Sequence, residues 1–123
     1  MQSISVAIVA CNEAENIRRT LASVAWANEI NLVDSGSTDK TVEIAKSFGA
    51  RIFYESWKGY GPQVNSALDK CTGDWILNLD ADEWLTPELA SVRRMFSASL
   101  HATMATEMLC MVLRVVLWQL CPE

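Results

Sequence analysis

The sequence is poor in the features that mark several large classes of protein. Ten Lys and Arg face fifteen Asp and Glu, a net charge of −5. The basic residues are dispersed, which argues against a nucleic-acid partner held by phosphate neutralisation. The four cysteines, Cys11, Cys71, Cys110 and Cys121, form no Cys-x-x-Cys pair. Neither a zinc knuckle nor a redox motif is therefore suggested, and scattered thiols suit a reducing cytosol. Histidine occurs once, at His101, and is read as structural or exposed. No basic segment precedes the first apolar run, which stops at Asn12-Glu13 and reads as a strand, not a signal peptide. The most apolar stretch, Met108 to Cys121, is interrupted by Arg114 and Gln119. It falls short of the ~20 residues that a spanning helix needs.

What is present is a globular pattern. Half of the 123 residues are hydrophobic, enough for the core of one ordinary domain. Ile4 to Ala10 is a compact apolar run, the pattern of a strand covered on both faces. Asn12-Glu13-Ala14-Glu15 follows, with Asn12 placed as a helix N-cap three positions before an acid, and Ile17, Leu21 and Val24 recur at helical spacing. The pattern then repeats. Glu29 to Val33 predicts a second strand ending in Asp34-Ser35-Gly36-Ser37-Thr38-Asp39, and a helix through Val42, Ala45 and Phe48 runs to Gly49 as its C′ glycine. Arg51 to Glu55 predicts a third strand. Pro62 suits the first turn of another helix, with Val64, Leu68 and Cys71 on one face and Gly73 as its stop.

The stretch Asp74 to Glu83 is the most informative. An apolar run of strand length feeds into Asp80, Asp82 and Glu83, and Thr86-Pro87-Glu88 reads as a helix start. Carboxylates this close repel one another unless a cation sits between them. Oxygen ligands from one or two carboxylates plus substrate phosphates are what Mg²⁺ or Mn²⁺ prefers. The plainer alternative is that Asp82 and Glu83 are solvated turn residues that complement the following helix N-terminus.

Strands alternating with helices predict an α/β fold with a parallel sheet, and in such sheets ligands sit outside the carboxyl ends of the strands. Three polar clusters fall there: Cys11-Asn12-Glu13, Asp34 to Ser37, and Asp80 to Glu83. Glu13 and Asp34 are acceptors suited to ribose hydroxyls or a base N–H. Ser35, Gly36 and Ser37 lie beside a helix N-terminus that favours a phosphate ester. Asp80 and Asp82 are placed to set a metal against a diphosphate. The opposing reading makes Asn12 and Ser37 simple caps and Glu13 a solvated acid.

Taken together, Asn12-Glu13, Val33 to Asp39 and Leu79 to Glu83 resemble the family 2 glycosyltransferases of the GT-A fold. Glu55 to Gln63, with Asn65 and Ala67, is similar to a bacterial subset that adds glucose to the inner core of lipopolysaccharide. The resemblance runs from about Ile4 to Leu89. It implies a GT-A-like, Rossmann-like, mainly parallel sheet with flanking helices, lacking the acceptor-binding C-terminal half. It implies that Asp34 contacts the nucleotide base, Asp80 the ribose or diphosphate side, and Asp82 the metal, while Glu13 lines the nucleoside pocket. It further implies a UDP-sugar donor, Mg²⁺ or Mn²⁺, inversion by direct displacement, and a lipopolysaccharide-core or other glycolipid acceptor at the inner face of the bacterial inner membrane. Where the family reads Gln-Arg-Asn, this chain has Gln63-Val64-Asn65, so a positive group expected near the donor is absent. No carboxylate has the context of a general base, and the catalytic residue is left unassigned.

The sequence divides into a nucleotide-sugar-binding part, residues 1–94, and a divergent apolar tail, residues 95–123. For the tail, a membrane-surface helix, a helix closing the sheet and a truncated or frameshifted reading frame are the candidates. The last fits best, since nothing in it continues the preceding pattern. Trp75 is expected in the core, and Trp57 and Tyr60 in a loop bordering the donor site. Two other classes stay open: a binding module that holds nucleotide-sugar without transfer, and a receiver-like signalling domain. The latter lacks the Lys it would need at the end of a later strand.

Overall fold

The computed structural model describes residues 3–87. Pro87, the last described residue, is helical, as the start at Thr86-Pro87-Glu88 predicts; the residues after it, with the division at residue 94 and the apolar tail, lie outside the described residues. Four strands, β1 (Ile4–Ala10), β2 (Glu29–Asp34), β3 (Arg51–Tyr54) and β4 (Trp75–Asp80), alternate with three helices, α1 (Ala14–Ser23), α2 (Thr41–Ser47) and α3 (Tyr60–Asp69). All strand pairs are parallel, in the order β3-β2-β1-β4.

The alternation of side chains along β1 divides the core. Val6, Ile8 and Ala10 point into the larger cluster, with Ile17 and Leu21 of α1, Ala45 of α2, Leu32 of β2 and Leu77 and Leu79 of β4. Ala7 and Val9 face the other way, onto Val33, Ala67, Leu68 and Cys71 beneath α3. Small residues at Ala7 and Ala67 let the helix pack close to the sheet. Ile8, Ile17, Leu21 and Leu32 are each wholly buried, and a side chain of that size contributes about 1.5–3 kcal/mol by leaving water.

Register sets the geometry of the functional end. Ala10 pairs with Asp34, Val9 with Asp80, and Asp34 with Tyr54. The carboxyl ends of all four strands are therefore level, and the loops that follow them share one rim.

Three local expectations are corrected. Asn12 does not cap α1: the N-cap residue is Glu13, and no side chain of its own bonds the helix start. Gly73 is not the stop of α3, which ends with Lys70 as C-cap; it is needed where the chain passes close to the start of β1. The buried face of α3 is Gln63 and Ala67, with Val64 and Leu68 only half-buried. Trp75 packs half-buried against the larger cluster. Among the described residues, no helix is long and apolar enough to cross a membrane.

Candidate functional site

The rim encloses a cleft of about 470 Å³ lined by Val9, Ala10, Cys11, Glu13, Ser35, Trp57, Tyr60, Asp80, Ala81 and Asp82. Its walls are built by the turns that follow β1, β2 and β4 and by the segment between β3 and α3.

The turns after β1 and β2 are stitched to each other. Asn12, at the unusual backbone angle φ 54, accepts at Oδ1 from the Thr38 amide at 2.8 Å and from the Thr38 hydroxyl at 3.3 Å. The Asn12 amide donates to Ser37 Oγ at 2.9 Å, and the Glu13 amide to Thr41 Oγ1 at 2.9 Å. Asp39 accepts from the Ala14 amide at the start of α1 and from the Thr41 amide at the start of α2. The Thr41 hydroxyl, its amide and the Ala14 amide together hold the Asp39 carboxyl below the usual carboxylate range. The start of α1 is thus satisfied from the other turn, by Asp39 and Thr41, while that of α2 is bonded by Asp39 of its own turn.

The segment between β3 and α3 carries Trp57 and leads into Tyr60, which is the first residue of α3 and not a loop residue; each is 58% exposed. Gly59 turns it at φ 100, a conformation open to glycine at little cost. Gln63, wholly buried, accepts from the Lys58 amide at 3.3 Å and donates to the Glu55 carbonyl at 3.2 Å, which ties the loop to α3. Glu55 accepts from Lys58 Nζ, from the Ser66 hydroxyl and, as an ion pair at 3.1 Å, meets Lys70 Nζ. Lys58, Ser66 and Lys70 together lower the Glu55 carboxyl to about 2. Aromatic surface is thereby presented on a braced loop, with its polar backbone satisfied from behind.

Of the residues singled out in the sequence, Glu13, Ser35, Asp80 and Asp82 meet around this one cleft. Glu13 accepts from Asn16 Nδ2 at 3.2 Å, and the Ser35 amide donates to the Ala10 carbonyl at 3.1 Å. Asp80 accepts the Tyr60 hydroxyl at 2.9 Å on Oδ1, while its amide donates to Glu83 Oε2 at 3.3 Å. Glu83 is in this way turned onto the backbone, and Asp82 stands exposed on the lining.

Asp34 is placed differently. It is 2% exposed and does not line the cleft. Its carboxylate accepts from the Gly36 amide at 3.1 Å, the Ser37 amide at 2.9 Å and the Ser37 hydroxyl. A strand-terminal Asp followed by Ser-Gly-Ser closes an Asx turn on itself, so its charge shapes the turn that presents Ser35.

Among the described residues, no group of three or more His, Cys, Asp or Glu is set to hold an ion. An all-protein metal cage is thus not found among them. Asp80 and Asp82 on one wall do fit a hard cation whose remaining ligands are phosphate oxygens and water, the arrangement Mg²⁺ and Mn²⁺ commonly adopt.

Sequence reading missed Thr20 altogether, and placed Gln63 in a motif without its role in bracing the loop. Both are polar and wholly buried. A polar residue on the apolar face of a helical pattern was the available signal.

The sequence and the fold have counterparts among known proteins. The chain is 49% identical over 89 residues to an uncharacterized glycosyltransferase of Rickettsia bellii, covering 72% of this chain and 30% of the relative. It is 37% identical over 91 residues to the lipopolysaccharide core biosynthesis glycosyltransferase LpsC of Rhizobium meliloti, covering 70% and 34%. The chain thus spans about a third of these relatives. Among solved structures it resembles glucosyl-3-phosphoglycerate synthase of Mycobacterium tuberculosis, crystallised with Mn²⁺, UDP and glucosyl-3-phosphoglycerate. That match has TM-score 0.58 and 26% identity over 68% of this chain and 36% of the other. The fold is accordingly GT-A-like. The sequence model of glycosyl transferase family 2 matches residues 5–106, and the chain belongs to that family.

Proposed function

We propose that the cleft holds a nucleotide-diphosphate sugar together with a divalent cation, as the donor-binding part of a glycosyltransferase. The observation that carries this reading is the meeting of Glu13, Ser35, Asp80 and Asp82 around one cleft at the carboxyl ends of the strands. Its volume falls within the ~300–1,000 Å³ range of small-molecule sites. The crystallised relative bound to Mn²⁺ and UDP supports the ligand class.

In this reading Glu13 accepts from ribose hydroxyls, and Ser35 offers its hydroxyl to the nucleotide. Asp34 acts behind the wall, holding the Ser35-Gly36-Ser37 turn. Asp82 and Asp80 hold the cation, Asp80 being oriented by the Tyr60 hydroxyl. A Mg²⁺ or Mn²⁺ ion bound there neutralises charge on the departing diphosphate, its Lewis-acid role. Trp57 and Tyr60 supply flat apolar surface at the cleft wall, suited to a sugar or a base. The proposed chemistry is inverting displacement, with a carboxylate taking the acceptor's proton. The proposed sugar is glucose and the proposed acceptor an envelope glycolipid reached at the inner membrane face. The acceptor proposal draws on the Glu55 to Gln63 stretch and on the LpsC relative.

Titration calorimetry tests the donor site. UDP is expected to bind at least about tenfold more tightly with Mn²⁺ than with chelator, and Asp82→Ala to remove that difference, a loss of about 1.4 kcal/mol or more. Equal affinity with and without metal defeats the reading. A second reading is a module that binds nucleotide-sugar without transferring it. Sugar transfer to a lipopolysaccharide-core acceptor by the 123-residue chain decides between them.

A further inference from the structure

Helix α1 begins beside the cleft at Glu13, but its far face reaches a different wall. Arg19, Thr20 and Ser23 all contact the segment that follows β4. The Arg19 guanidinium lies 3.6 Å from the centroid of the Trp84 ring. Ser23 Oγ accepts the Leu85 amide at 3.0 Å. Between them Thr20, wholly buried, donates its hydroxyl to the Ala81 carbonyl at 2.9 Å, and the bond itself is buried. The alternative acceptor for that single proton, the Asn16 carbonyl, is at 3.4 Å.

Ala81 is the residue between the two acids. Its carbonyl belongs to the rigid peptide unit that ends at the Asp82 Cα. A bond that fixes the carbonyl fixes the plane of that unit and the position of the Asp82 Cα, which leaves rotation about the Asp82 N–Cα bond as the backbone freedom that aims its side chain. Asp80 is held by other means: the Tyr60 hydroxyl on its carboxylate, and its amide and carbonyl both bonded to Glu83. Thr20 therefore bears selectively on Asp82, from behind the site and without reaching the cleft, of which it is not a lining residue.

We propose that Thr20 is a positioning residue for the metal-binding wall, holding the Asp80-Ala81-Asp82 turn so that Asp82 faces the ion. The proposal rests on the donor-site reading above. A hydroxyl in the apolar stripe of an amphipathic helix costs burial free energy unless its bond is made, and here it is made to the centre of the acidic turn.

The test separates positioning from general support of the fold. Thr20→Val keeps shape and burial but removes the donor, whereas Thr20→Ser keeps it. UDP affinity with saturating Mn²⁺ is expected to fall about fivefold to tenfold in Thr20→Val and to stay within about twofold in Thr20→Ser. Uridine, which lacks the diphosphate and so needs no ion, is expected to bind both variants within about twofold of the parent chain. Equal weakening of uridine and of UDP with Mn²⁺ overturns the proposal in favour of a structural role, and an unchanged Thr20→Val overturns it outright. If Thr20→Val does not fold, Ser23→Ala, which frees the Leu85 amide, is measured instead. It must show the same split between the two ligands, and equal effects on both overturn the proposal. Failure of the parent chain to bind UDP more tightly with Mn²⁺ removes the donor-site reading itself and this inference with it. Parent binding with an indifferent Thr20→Val removes only the inference.

Discussion

A Cβ placed on Gly73 would lie 2.6 Å from Ser5 Oγ, 2.9 Å from the Ser5 amide nitrogen and 3.2 Å from the Ser3 carbonyl oxygen. Two of these are backbone atoms of the chain entering β1, so the clash cannot be relieved by rotating one side chain. The Gly73 amide also donates to Ser5 Oγ at 2.8 Å. Gly73→Ala is expected to destabilise the fold by about 1–3 kcal/mol, the range for overpacking a closed site. A urea unfolding curve checks it: the midpoint falls with the slope unchanged. In the sequence this glycine sits where a helix stop is expected, because the partner that requires it is almost seventy positions away in Ser5. Thr20 was hidden for the same reason, since its bond spans 61 positions to Ala81. Asp34 shows the converse. Its place at a strand end was plain from the pattern, yet whether its charge faces a ligand or its own turn depends on the backbone path of Gly36 and Ser37.

At the scale of elements, periodicity was a good guide and capping a poor one. The span Ile4–Ala10 was legible to the residue, and the C′ glycine at Gly49 has the positive φ of 79 that its role requires. Strand and helix spans follow from burial patterns carried by neighbouring residues. The cap of α1 depends on a side chain of another turn, Asp39 on Ala14, and Asn12 in return bonds Thr38 ahead of α2. This cross-stitching sets the spacing between the Glu13 and Ser35 walls of the cleft. It can be divided experimentally, because Asn12 also holds a left-handed backbone conformation that costs an ordinary residue about 1–2 kcal/mol. Asn12→Gly loses the hydrogen bonds but relieves the backbone, and is expected to cost about 1–2 kcal/mol. Asn12→Ala loses both, and is expected to cost about 1 kcal/mol more. Equal losses in denaturant titrations of the two variants contradict this account of the turn.

Across the whole molecule, the two ends of the sheet have different work. The carboxyl ends carry the cleft, while at the opposite end Glu29 gathers three separate parts of the chain. It accepts from the Ser5 hydroxyl of β1 and from the amide of Thr72 ahead of β4, and it pairs with Arg51 of β3. The alternation of strands and helices made the parallel sheet and its rim readable in advance. This lower anchor was not, since nothing local distinguishes Glu29 from any acid opening a strand. Burial pushes the Glu29 carboxyl up, but hydrogen bonds from Ser5, Thr72 and Asn31 outweigh it and bring the group from 4.5 down to about 2. A carboxyl depressed in the folded state binds fewer protons there than in the unfolded chain. Its contribution is complete above about pH 4.5 and is lost as pH falls through that window toward about 2. Glu55, lowered to about 2 by Lys58, Ser66 and Lys70, acts in the same direction, but its pair with the exposed Lys58 weakens with salt, and that with the half-buried Lys70 less so. The melting temperature is therefore expected to drop across this window, and 0.5 M salt to remove part of the Glu55 share. Glu29→Gln should show a lower melting temperature at neutral pH and a shallower drop on acidification, because the titrating group is gone. A variant that matches the parent in both respects would show that the sheet is held at this end by packing alone.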